Sequence, residues 1–118
     1  MKTKLLLPIL LLASGCSDVV SDEYATYELA QQDRLFDRGW LPDILPSSTL
    51  QIEVNNDLDI NTSEGSFRIY EPQLSEFIAK LTRTPSKDEY LFTDNDNTWM
   101  FKITDDSLVT YTLNKTKH

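Results

Sequence analysis

The chain is poor in the residues from which most reactive sites are built. It has one cysteine, Cys16, one histidine, His118, and three glycines in 118 residues. A single cysteine allows no internal disulfide, so stability must come from an apolar core. A catalytic imidazole needs a fixed orientation, which a chain terminus seldom supplies, so Ser-His-Asp and Cys-His arrangements are excluded. Zinc centres assembled from histidine and cysteine fall with them. Three scattered glycines cannot form a phosphate-cradling loop. Basic residues are also scarce: 11 Lys and Arg stand against 19 Asp and Glu, a net charge of −8. Sequence-independent nucleic-acid binding needs a cationic face to displace counterions, and this composition has none. Docking onto anionic lipid head groups is disfavoured for the same reason. Paired carboxylates suffice for acid–base hydrolysis, but in so acidic a chain such pairs are inevitable and none is singled out. A non-enzymatic protein with no cofactor is therefore expected.

Long apolar runs are missing too. Leu5 to Leu12, broken by Pro8, spans about 12 Å as a helix against roughly 30 Å of bilayer hydrocarbon, which rules out a permanent transmembrane helix there. What surrounds it is informative. Lys2 and Lys4 precede the run, and Ala13-Ser14-Gly15 brings small residues directly before Cys16. These are the parts of a secretory signal. The Ala-Ser-Gly-Cys ending resembles the lipobox of bacterial lipoproteins. In that class the signal, here residues 1–15, is removed, the cysteine sulfur receives a diacylglycerol, and the new amine is acylated. Several acyl chains make a stable anchor where one binds reversibly. Ser17, rather than Asp, follows the cysteine. By the same resemblance this favours the outer membrane, facing the periplasm, over inner-membrane retention. Without Lys2 and Lys4, nine basic side chains face 19 acidic ones, a net charge of −10.

Residues 16–118 amount to one domain's worth of chain. Residues 16–21 read as a tether and 22–118 as a single domain. Ser21, followed by Asp22 and Glu23, is placed to cap a first helix carrying Ala25, Leu29, Leu35 and Phe36, with Gly39 as its stop. Gly39 to Pro46 is too rich in proline to be regular and too apolar to be solvated. A compact turn is expected, with Trp40, Ile44 and Leu45 covering one end of the core. Leu50, Ile52 and Val54 alternate with polar residues as one strand, and Phe67 and Ile69 belong to a second. After Pro72, Leu74, Phe77, Ile78 and Leu81 fall at i, i+3, i+4 and i+7, the clearest helix in the chain. Strands follow from Tyr90, from Trp99 and from Val109, separated by turns at Asp94–Asn97 and Asp105-Asp106; Lys115 to His118 reads as a frayed tail. The expected order is α-β-β-α-β-β-β: an α+β fold with a small antiparallel sheet and two helices on one side.

Two stretches are candidate sites. Asp57-Leu58-Asp59-Ile60-Asn61-Thr62-Ser63 alternates oxygen-bearing side chains like the opening of a calcium loop. Thr62 stands where that loop needs its turn glycine, and Arg68 where it needs a bidentate glutamate. A plain connection between strands, with Leu58 and Ile60 alternating inward, is the stronger reading. Trp40, flanked by Gly39 and Pro42, is the candidate contact for a protein partner, together with Leu41 and Pro42. Trp99, in an alternating strand, is expected in the core.

Arg38-Gly39-Trp40-Leu41-Pro42, Leu45-Pro46, Ser48, Ile52, Asp57-Leu58-Asp59, Asn61 and Phe67 together resemble the YbbD head domain. That family comprises small bacterial proteins, often lipoproteins, without an assigned activity. The resemblance implies that Trp40, Pro42, Asp57, Asp59 and Asn61 act as one unit. It also implies a histidine before the first Asp, where this chain has Asn56. The leading expectation is a lipid-anchored envelope lipoprotein, attached through Cys16 and contacting an unidentified envelope protein. The alternative is a calcium- or small-ligand-binding envelope module using Asp57, Asp59 and Asn61. A cell-wall hydrolase is the third class, supported by location alone.

Overall fold

The computed structural model describes residues 19–104 and 107–115. Seven strands form one sheet: β1 (Val19–Thr26), β2 (Leu50–Asp57), β3 (Thr62–Arg68), β4 (Thr82–Arg83), β5 (Glu89–Asp94), β6 (Asn97–Ile103) and β7 (Leu108–Lys115). Two six-residue helices interrupt them, α1 (Tyr27–Gln32) after β1 and α2 (Gln73–Ile78) after β3. The spatial order is β1-β2-β3-β7-β6-β5-β4, and every pairing is antiparallel. Two meanders, β1–β3 and β4–β7, thus meet along the β3–β7 seam. The antiparallel sheet is as expected, but the protein is mostly β, and the α+β label with its order α-β-β-α-β-β-β does not fit.

The main departure lies at the N-terminal end. Ser21 caps no helix; it sits inside β1 opposite Asn55, and its hydroxyl donates to the Asn55 Oδ1 at 2.6 Å. Residues 19–21 of the expected tether already belong to that strand. Val19, Val20 and Thr26 are β-branched and Tyr24 is aromatic, residue types that suit a pleated surface. Tyr24 is buried opposite Ile52. The helix starts only at Tyr27, where the Thr26 hydroxyl accepts from the Leu29 amide at 3.2 Å. Of the expected helical stripe, Leu35 is buried, but Ala25 and Leu29 are exposed.

Alternation puts one set of side chains on a covered face: Tyr24, Ile52, Val54, Phe67, Val109, Tyr111, Leu113, Trp99, Phe101 and Tyr90, all buried. The α1 helix lies against β1 and β2. From there the segment 33–49 crosses the sheet, because the Trp40 carbonyl accepts from the Trp99 indole nitrogen on β6 at 2.9 Å. Leu41 and Leu45 are buried beneath it, and Ile44 packs against the same cluster, so the expected cover at Trp40, Ile44 and Leu45 is what forms. Phe77 of α2 fits edge-on between Phe67 and Phe101, with ring centroids at 6.0 and 5.2 Å. This helix is the expected one, with Leu74 and Phe77 inward. The opposite face of the sheet carries Glu23, Glu53, Glu64, Thr98, Met100 and Thr112 in the open.

Leu50, expected to share a face with Ile52, is exposed instead. The β2–β3 register shifts between Leu50 and Glu53, and Gln51 takes a φ of 50°. This bulge reverses the direction of Leu50. It also brings the Glu53 carbonyl so near β3 that a Cβ on Gly65 would lie 1.9 Å from its oxygen. The turn at Asp94–Asn97 forms as expected between β5 and β6, with Asn95 left-handed. The turn expected at Asp105-Asp106 and the end of the tail, 116–118, lie outside the described residues, although Lys115 still belongs to β7.

Candidate functional site

The residues singled out from the sequence occupy three different environments. Cys16 lies outside the described residues. Trp40, Leu41 and Pro42, expected as a partner contact, are buried, Trp40 with 9% and Leu41 with 1% of its surface exposed. Their apolar bulk is spent on roofing the sheet, so they do not present a free surface. Asp57, Asp59 and Asn61 sit at the β2–β3 turn. The Asp57 Oδ1 accepts from the Asp59 amide at 3.0 Å and from the Ile60 amide at 3.4 Å, an Asx turn. Asn61 takes φ 58°, the left-handed conformation that lets the chain re-enter β3. The acidic and amide residues of this loop thus close a hairpin. Among the described residues, no three His, Cys, Asp or Glu side chains gather where they could hold a metal ion.

Leu58 and Ile60, expected to point inward, do the opposite: they are 53% and 63% exposed. Strand alternation ends at Asp57, and the turn carries the next residues beyond the sheet. Val19 pairs with Asp57 and Val20 with Asn56, so the exposed Val19 and Val20 lie at the same end.

Asn56 stands where the resemblance places a histidine. It is buried, accepting from the Ser63 hydroxyl at 2.6 Å, while Ser63 and the Tyr111 hydroxyl share a hydrogen bond of 2.8 Å. Burial pushes the Tyr111 phenol well above its ordinary range, with the Ser63 bond acting against that rise. This chain of neutral groups is satisfied and closed, and it stiffens the seam between β2, β3 and β7.

The open face holds a shallow groove at the β2 bulge, lined by Glu23, Gln51, Glu53, Ser66 and Arg68. Glu23 and Glu53 are directly opposite each other across β1 and β2. Like charges so placed repel, and this pair makes the groove acidic. The sequence reading missed it because it assigned Glu23 to a helix. No helix among the described residues is long and apolar enough to cross a membrane.

A single antiparallel sheet, roofed on one face by short helices and an apolar crossing segment and open on the other, defines a small β-sheet domain. Its first three strands, α1 and the crossing segment carry the family signature: residues 18–68 match the model of the YbbD head domain. No curated protein and no solved structure matches the chain.

Proposed function

We propose that this chain is a non-enzymatic lipoprotein of the bacterial envelope, held at the outer membrane on its periplasmic side by acyl chains on Cys16, and that its sheet domain binds another envelope protein. The observation that carries the reading is the position of the lipobox cysteine, three residues ahead of the first strand. A domain attached so closely to a membrane acts where it is tethered. The contact is made by the open face rather than by Trp40. Glu23 and Glu53, in a protein whose mature charge is −10, favour a partner with a basic surface.

Two measurements test this. The mass of the N-terminal peptide from native membranes is expected to be that of a triacylated Cys16 peptide; an unmodified thiol refutes the anchor. Crosslinking in intact envelopes is expected to enrich one dominant protein. Joint Glu23→Lys and Glu53→Lys substitution keeps a like-charged pair in the sheet, so the circular dichroism should be unchanged while that protein is lost. Equal capture by both forms refutes the open-face contact.

A further inference from the structure

Four of the eight large hydrophobic side chains that the described residues expose, Val19, Val20, Leu58 and Ile60, gather at one end of the sheet. Two of them occupy the tip of a hairpin, a position where solvation alone favours polar residues. The strand directions make this end the one nearest Cys16: β1 starts there, and β2 and β3 meet there at the turn. Only Ser17 and Asp18 lie between Cys16 and Val19, so three residue steps give a reach of about 10 Å even when fully extended. We propose that the β2–β3 hairpin tip rests in the lipid bilayer surface, with Leu58 and Ile60 below the head groups and Val19 and Val20 at their level. This rests on the lipid-anchor reading, because the short tether is what holds the tip against the membrane.

The flanking charges select the lipid. Asp57, Asp59 and Glu64 surround the tip, so an anionic surface repels it while a zwitterionic one admits the two apolar side chains. The sheet then stands with the α1 and α2 ends of its strands away from the membrane, roughly 26 Å up for an eight-residue strand. The hairpin works as a foot that fixes the domain's orientation; the acyl chains alone would leave it free to tumble.

The full-length lipidated protein carries no free thiol once Cys16 is modified, so one introduced cysteine can be labelled. A nitroxide is placed at Leu58→Cys in one preparation and at Lys87→Cys, in the loop at the far end of the sheet, in another. Both are reconstituted into phosphatidylethanolamine–phosphatidylcholine vesicles. The expected result is that the Leu58→Cys label becomes several-fold more accessible to dissolved oxygen than to a water-soluble nickel complex, while the Lys87→Cys label stays in water. Replacing half the lipid with phosphatidylglycerol should reduce that difference. If the protein floats with vesicles and its N-terminal peptide is acylated, yet both labels remain equally open to nickel, the membrane foot is refuted and the anchor stands. Without acylation, neither survives.

Discussion

At the scale of single residues, the structure turns on close approaches. Gly65 tolerates no side chain, since a Cβ would meet the Glu53 carbonyl at 1.9 Å and the Tyr111 ring at 3.0 Å. Gly65→Ala must push β2 away from β3, and a loss of about 1–3 kcal/mol is expected, read as a lower urea midpoint. The tyrosines set the alkaline limit. Burial, reinforced by the hydrogen bond to Asp33 (2.5 Å), pushes the Tyr24 phenol up to about 12. The folded state keeps this proton longer than the unfolded chain, whose phenols titrate near ~10. Its stabilising contribution is therefore full below about pH 10 and disappears as pH rises through about 12. Tyr111, shifted the same way by burial, adds to the effect. The urea midpoint should hold from pH 7 to 9 and fall by pH 11, less steeply in Tyr24→Phe. None of these contacts is visible in the sequence: a glycine between Glu64 and Ser66 looks like any strand glycine until the bulge in the neighbouring strand is known.

At the scale of elements, legibility followed periodicity. The α2 stripe of Leu74 and Phe77 and the strands around Ile52, Phe67, Trp99 and Tyr111 were readable because each repeats at a helical or alternating spacing, and the Asp94–Asn97 turn because Asp and Asn favour turns. The β1 strand was not. Ser21-Asp22-Glu23 imitates a helix start, and only pairing with β2 over Val19–Thr26 overrides that local preference. At the β2–β3 turn, the same acidic residues serve a cation site or an Asx turn equally well in sequence. The structure forms the Asx turn, with the Asp57 Oδ1 engaged by two backbone amides. Asp57→Asn keeps that acceptor and should melt within a degree or two of the parent. Asp57→Ala removes it and should lose about 1 kcal/mol. Millimolar calcium should leave both melting curves, and the parent's, where they are; a calcium-dependent rise in the parent alone would restore the ligand reading.

At the scale of the whole molecule, one core spans both meanders. The Trp40 carbonyl reaches Trp99, and Phe77 touches both Phe67 and Phe101, so neither half can open without the other. Trp40→Ala is expected to cost about 3–5 kcal/mol and to lower a single transition, with near- and far-ultraviolet circular dichroism still coincident. Two separate transitions would show that the meanders fold apart. The sequence offered the Gly-Trp-Leu-Pro motif both as a cover for the core and as a partner contact, because an aromatic in a proline-rich turn looks alike whether it faces a partner or its own sheet. The two borders of the sheet are unequal: β1 offers eight residues, guarded only by Asp22 and Glu23, whereas β4 ends the other side after two. Any strand-to-strand association between copies must therefore use the same border on each. It would close as a two-fold pair and stop, since the opposite border is too short to carry a growing fibril onward.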